Sequence, residues 1–338
     1  MIRLLRNRAL KAEVAAAANR LHLFDAYAFL KRKRIGSQVA VANYHRVTMT
    51  KDDWSCETLS PQAFESQIRY FCENFSILSL DRLLLYLQQD RSLPKKTVAI
   101  TFDDGYRDNY LYAFPILRKY AVPATFFLTT GHIGTSKLFW WDKVGYVVYH
   151  AAGTRLELEE RTYPLKSASD RRRAKLMIMK ELKHLPEERK NELIEKLVDI
   201  CRVDIPADLG KQLVLSWEEV EEMSQNGAQF GAHSATHPIL ANLPLEQARW
   251  EISRSKEDLE MRLQKKVKFF SYPEGSFNSE IVEIVKQTGF AAAVATYPSW
   301  ITPRSDVYRL GRINMIEDSD RSAALLCGLL GDLNFQEK

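Results

Sequence analysis

The chain has 338 residues, 46% hydrophobic and 27% charged, enough to bury a sizeable core in one large domain or two ordinary ones. With 14 Gly, 12 Pro and abundant aromatics, it is not a disordered chain, a collagen-like repeat or a small disulfide-stapled scaffold. The net charge of +5 is uneven: residues 1–36 carry nine Lys/Arg against Glu13 and Asp25, a local +7 that leaves −2 for residues 37–338, so no nucleic-acid partner is expected.

Residues 1–36 read as a basic amphipathic helix, Ala-rich, with Leu21, Phe24 and Ala28 at helical spacing. Two readings stay open: a surface helix packed on the body, or a helix lying through residues 1–34 on an anionic membrane. Arg20, His22 and Asp25 interrupt its apolar stretch and Lys31-Arg32-Lys33-Arg34 follows, so a cleaved leader is not expected. No apolar run approaches the roughly 20 residues that span a bilayer. Cys56, Cys72, Cys201 and Cys327 lie far apart with no CxxC pair and are expected to be reduced and buried. The expected location is cytoplasmic, peripheral on the inner face of the membrane.

Residues 37–338 alternate strand and helix. Strands are predicted at Gln38–Tyr44, Thr97–Phe102, Ala124–Leu128, Ala228–Ala232, Val267–Ser271 and Phe290–Ala295. Between them, helices are predicted from Ser60-Pro61 to about Phe75, and over Arg107–Tyr120, Ser216–Asn226, Pro244–Leu263 and Asn278–Thr288. Ser60 and Ser216 serve as N-caps, the latter with Glu219 in a capping box. Short apolar strands separated by helices imply a parallel sheet covered on both faces, and six or seven such units fit an α/β barrel. Residues 151–213 break the rhythm with a hairpin over Leu156–Leu165 and two charged helices, about Ala168–Leu185 and Pro186–Cys201. They read as an insertion with solvated helical faces, placed where a lid over a site would also lie.

Two constellations follow predicted strands, where α/β folds place their sites. The first is Thr101-Phe102-Asp103-Asp104-Gly105-Tyr106. Asp and Gly also favour plain turns, but adjacent side chains diverge, so the two carboxylates can do different work. The second is Gly231-Ala232-His233-Ser234-Ala235-Thr236-His237-Pro238, whose two His, four apart, can aim at one ion. Two His and one carboxylate suit zinc or another divalent first-row metal, with positions left open for water. Gly131–Lys137 has the wrong spacing for a phosphate loop. In Phe139-Trp140-Trp141-Asp142 the aromatics are either core or, with Trp141 exposed, a platform for a sugar ring.

TFDDGY followed by HSATHP resembles the polysaccharide deacetylase family, the NodB-homology or carbohydrate esterase 4 group, over about Val39–Met315 apart from the insertion. The resemblance implies a distorted (β/α)7 barrel, with Asp103 as general base and Asp104, His233 and His237 holding one divalent ion, Zn2+ first and Co2+, Ni2+ or Mn2+ as alternatives. Phe270-Ser271-Tyr272-Pro273-Glu274-Gly275 resembles the third motif, with Ser271 in place of its base-orienting Arg and Glu274 in place of its Tyr. Tyr272, Pro273 and Glu274 would then touch substrate, with a backbone N–H near Glu274 as an oxyanion donor. The orienting Arg would be Arg309 or Arg312, with Arg312 preferred. No His follows His237, so the general acid is assigned to His45 in Tyr44-His45-Arg46-Val47, similar to a segment of the exopolysaccharide-modifying branch. The activity implied is removal of N-acetyl groups from a polysaccharide or a lipid-linked or cell-envelope glycan. The alternatives are hydrolysis of another acyl amide or an O-acetyl ester, or a non-catalytic carbohydrate-binding scaffold.

Overall fold

The computed structural model describes residues 39–50, 54, 55, 58–89, 94 and 96–317, so the predicted N-terminal helix lies outside the described residues. The first strand, β1 (Val39–Tyr44), is buried on both faces and pairs in parallel with β5 (Thr97–Phe102). From β5 the sheet continues in parallel through β6 (Thr125–Leu128), β9 (Gln229–Ala232), β10 (Phe269–Ser271) and β11 (Ala292–Ala295). The seam is a single interrupted strand: β12 (Leu310–Gly311) pairs with β11, and β13 (Ile313–Asn314) pairs with β1. Counting β12 and β13 as one position gives seven, the expected barrel, with Arg312 standing at its closure. The short strands β2 (Arg46–Val47) and β3 (Thr58–Leu59) pair with each other, and β4 (Ser76–Ile77) pairs with the start of β5.

Around the barrel run α1 (Pro61–Asn74), α2 (Leu80–Gln88), α3 (Phe114–Lys119), α4 (Trp140–His150), α8 (Trp217–Gln225), α9 (Leu245–Leu263) and α10 (Ser279–Gln287). The caps follow the sequence: the Ser60 hydroxyl accepts from the Ala63 N–H, and Ser216 and Glu219 form both bonds of their capping box. The helix expected over Arg107–Tyr120 is instead a π-helical turn, Asn109–Ala113, running into α3. Pro115 supplies no N–H, and the Phe114 N–H reaches back five residues to the Asn109 carbonyl, which widens the turn.

The insertion consists of β7 (Arg155–Leu158) and β8 (Arg161–Pro164), antiparallel, then α5 (Ala168–Leu182), α6 (Glu187–Cys201) and α7 (Leu209–Leu213). It has a core of its own, in which Leu156, Tyr163, Ile178 and Leu197 pack on Val144 and Val148 of α4. Three contacts fasten it to the C-terminal end of the barrel. The Lys175 ammonium of α5 donates to the carbonyls of Trp54 (3.1 Å) and Ser55 (2.6 Å), and Lys183 pairs with Glu274 at 2.5 Å. Gly145 lets α4 approach so closely that a Cβ there would lie 1.9 Å from the Trp54 carbonyl oxygen. Among the described residues no helix is long and apolar enough to cross a membrane. Cys201 is buried as expected but Cys72 is exposed on α1, because it falls on the polar side of that helix's stripe; both are free thiols.

Candidate active site

The two motifs meet at the C-terminal ends of β5 and β9. Asp103 and Asp104 leave β5, and Asp104 adopts φ +74°, a left-handed conformation uncommon outside Gly that swings its carboxylate away from that of Asp103. Ser234 (φ +61°) and His237 (φ +65°) bend the segment after β9 in the same manner. The Ser234 hydroxyl accepts from the His237 N–H at 2.9 Å. Glu251 of α9, nearly buried, accepts from the N–H groups of Ala235 and Thr236 at 2.8 Å each and from the Thr236 hydroxyl. A tight loop, rather than a helical turn, aims both imidazoles at one point.

That point is the Asp104 carboxylate. His233 Nε2 lies 3.5 Å and His237 Nε2 3.4 Å from Asp104 Oδ1, and the three ligand atoms sit within 4.8 Å of one another. Bonds of about 2.0–2.1 Å in tetrahedral geometry place ligand atoms about 3.3–3.4 Å apart, which the two Asp104–His distances match. His233 Nδ1 is 2.8 Å from the Ser271 carbonyl, which only accepts, so this nitrogen carries the hydrogen. In the neutral ring Nε2 is then a lone pair facing a carboxylate, a pair of acceptors that is stable only with positive charge between them. Asp104 Oδ1 is buried with no hydrogen-bond partner. Burial alone would raise the Asp104 carboxyl, but His233 and His237 hold it well below the usual range. Burial alone would likewise lower His233, and the Asp103 and Asp104 carboxylates outweigh it and raise it.

Arg312, fully buried at the seam, binds the Asp103 carboxylate with both terminal nitrogens, Nη1 to Oδ1 at 2.8 Å and Nη2 to Oδ2 at 2.5 Å. Nη1 also donates to Asn43 Oδ1 (2.6 Å), and Nη2 to the Ser271 hydroxyl (2.9 Å). The serine in the expected Arg position of the third motif therefore receives a guanidinium from another strand. Arg309, the other candidate, is half exposed and pairs with Asp306. Burial pushes Asp103 up, and the positive charges of Arg312 and then His233 overcome it to leave the carboxyl below its ordinary value. His45, half-buried just past β1, is near enough to help lower both Asp103 and Asp104.

The expected substrate contacts fare less well. Tyr272 is fully buried and its hydroxyl donates to the Tyr308 carbonyl at 3.0 Å, so it is a core residue; Pro273 is buried beside it. Glu274 is half-buried, at φ +56°, with its carboxylate held by Lys183. Trp141 offers no exposed platform: it is 8% exposed, stacked on Phe139 at 4.6 Å and set edge-on to His237 at 4.6 Å.

Several residues escaped the sequence reading. Asn43, buried in β1, donates to Asp103 Oδ2 at 3.3 Å; a polar residue within an apolar strand was the available signal. Glu251 gave none, as one acid among many on a charged helix. His132 stacks on Phe139 at 4.3 Å, and burial brings it down to about 4, so it is neutral. Behind His237, the Trp141 indole donates to the Tyr106 hydroxyl (2.7 Å), which donates to Asp142 (2.7 Å). Burial raises the Asp142 carboxyl to about 6.

A nearly closed parallel barrel with an Asp-His-His cluster and a guanidinium-held carboxylate at its C-terminal mouth defines a hydrolase of the NodB-like deacetylase fold. Residues 90–293 match the profile of the polysaccharide deacetylase family, and the chain belongs to that family. His45 and Arg312 fall outside the matched span. The chain is similar to the YxkH protein of Bacillus subtilis, 23% identical over 300 residues, 88% of this chain and 78% of that protein. It is also similar to the poly-beta-1,6-N-acetyl-D-glucosamine N-deacetylase of Staphylococcus aureus, 32% identical over 137 residues, 40% of this chain and 47% of that protein. The same fold is seen in the Streptococcus pyogenes deacetylase PplD (TM-score 0.60, 18% identity, 88% of this chain and 100% of that one). It is seen as well in IcaB from Ammonifex degensii (TM-score 0.58, 20% identity, 86% of this chain and 98% of that one).

Proposed function

We propose that this protein is a metal-dependent N-deacetylase of N-acetylated glucosamine polymers or of a lipid-linked or cell-envelope glycan of the same chemistry. The observation that carries the reading is the convergence of Asp104, His233 and His237 beside a carboxylate, Asp103, that is fixed by its own arginine. A non-catalytic scaffold has no use for such a set. The named activity of the Staphylococcus aureus relative supports the substrate class.

Asp104, His233 and His237 would hold one divalent ion, Zn2+ by its ligand set, and the ion when bound supplies a Lewis acid to the reacting carbonyl and to water. Asp103 takes the proton of the water that attacks the acetamide carbon. Arg312 and Asn43 keep its carboxylate in one orientation through that transfer. The N–H of Glu274, on the turn past β10, meets the developing oxyanion, a type of contact worth about 10²–10³ in rate. His45 returns a proton to the sugar nitrogen as the C–N bond breaks, releasing acetate and a free amine.

Elemental analysis of wild type and His233→Ala, with acetate release from poly-β-1,6-N-acetylglucosamine in added zinc or cobalt, tests this. About one ion per chain, lost in the variant together with acetate release, is expected. A wild-type chain that retains no metal and releases no acetate from polymer or from short N-acetylglucosamine oligomers would refute it.

A further inference from the structure

The outer face of α5 does no work for the barrel. Ala174, Lys175, Ile178 and Leu182 point inward, while Ser169, Arg172, Arg173, Leu176, Met177 and Lys180 form one exposed stripe at helical spacing. Leu176 is 53% and Met177 44% exposed, and with the stems of their basic neighbours they line a shallow groove of about 390 Å3. The stripe holds three cations and no carboxylate.

Its charges are also uncommitted. Arg171 is spent inside the insertion, donating to the carbonyls of Val148, Tyr149 and Ala151, and Lys175 is spent on Trp54 and Ser55. The neighbouring acids are engaged as well: Glu181 with Arg161 and Tyr163, and Asp170 with the Ser167 N–H at the helix cap. Arg172, Arg173 and Lys180 have no ion-pair partner among the described residues.

We propose that this face of α5 docks on an anionic phospholipid bilayer. Leu176 and Met177 enter the headgroup boundary, and the cations, on flexible apolar stems, meet lipid phosphates around them. Leu and Met offer a sugar neither a flat ring face nor a hydrogen bond, which disfavours a glycan as the occupant. Residues 1–36 carry +7 in sequence, a charge of the same sign that would favour the same anionic surface. Because Lys175 and Lys183 tie α5 to loops at the barrel mouth, docking brings the site to the membrane, where lipid-linked or envelope glycans are presented. That consequence rests on the deacetylase reading; the docking itself does not.

Flotation of the full chain with phosphatidylglycerol/phosphatidylcholine vesicles, and with pure phosphatidylcholine, tests the proposal. Arg172→Gln/Arg173→Gln is expected to weaken binding to the anionic vesicles on the order of 30-fold, as two basic residues at a membrane surface contribute. Leu176→Ser/Met177→Ser should weaken it roughly tenfold. Both variants should keep the wild-type melting temperature and acetate release from a soluble oligomer, which separates loss of docking from loss of fold or of activity. Should either double variant be misfolded, Lys180→Glu and Leu176→Ser alone provide the same comparison. Wild-type binding in both pairs, or equal wild-type binding to neutral and anionic vesicles, overturns the proposal.

Discussion

Arg312→Met is the most informative single change. It removes the bidentate partner of Asp103 and the donors to Asn43, Thr101 and Ser271, while the methionine fills much of the stem's volume. Asp103 is 1% exposed and Arg312 fully buried, so the variant strands a carboxylate that has no other guanidinium contact among the described residues. Breaking such a pair costs about 3–5 kcal/mol, and that loss is expected at neutral pH. The sign with pH follows from the native state. Arg312 holds Asp103 below its ordinary value, so the pair contributes stability above the unfolded carboxylate pKa and loses it as pH falls through the lower folded value. In the variant burial dominates and Asp103 rises, so the difference between the two proteins shrinks on acidification. Urea unfolding at neutral and at acidic pH, for wild type, Arg312→Met, Asp103→Asn and the double variant, measures it. The double variant should recover most of the loss at neutral pH, with a coupling of about 3 kcal/mol. Additive effects, or a single-variant cost below about 1 kcal/mol at neutral pH, would refute the account of Asp103 as a carboxylate held by Arg312.

Asp142→Asn keeps an acceptor for the Tyr106 hydroxyl and removes a buried acid raised to about 6. It should stabilise the protein by about 3 kcal/mol above pH 6, and the gain should shrink as pH falls through 6 and vanish only below about pH 3, where Asp142 is protonated in both states; denaturant unfolding across that range checks it. Glu251→Ala leaves the buried N–H of Ala235 without its acceptor, at about 1–3 kcal/mol, frees the N–H of Thr236, and loosens the loop that carries His237. Metal affinity, read by competition with a chelating dye, should fall about 10–100-fold. His45→Asn should lower turnover by about 10²–10⁴ and leave metal content intact; unchanged turnover would remove His45 from the acid role.

What was legible in the sequence is what depends on neighbours along the chain. The strand at Thr97–Phe102 and the capping box at Ser216 were recoverable because apolar runs and caps act over a few residues, and Asp103, Asp104, His233 and His237 sit inside two short motifs. The insertion was visible as an interruption of strand and helix by mixed charge. The hairpin and two helices expected there are present, although their core draws on α4, which the aromatic cluster at 139–142 concealed.

Contacts between distant segments were another matter. Arg312 and Asp103 are 209 residues apart, and only the closure of the barrel at its interrupted seam strand decides that Arg312, not Arg309, reaches the carboxylate. Burial turned Tyr272 from an expected substrate contact into a core residue and set Trp141 edge-on against His237, because their flat apolar faces gain more from Phe277 and Phe139 than from water. Asn43 and Glu251 became part of the site through hydrogen bonds that no local pattern encodes. The sequence by itself determined the chemistry available, since ligand and base types follow from side-chain identity. The tertiary structure alone decided how that chemistry is aimed, because orientation comes from buried, long-range pairing in a low-dielectric interior, where each charge must find its partner.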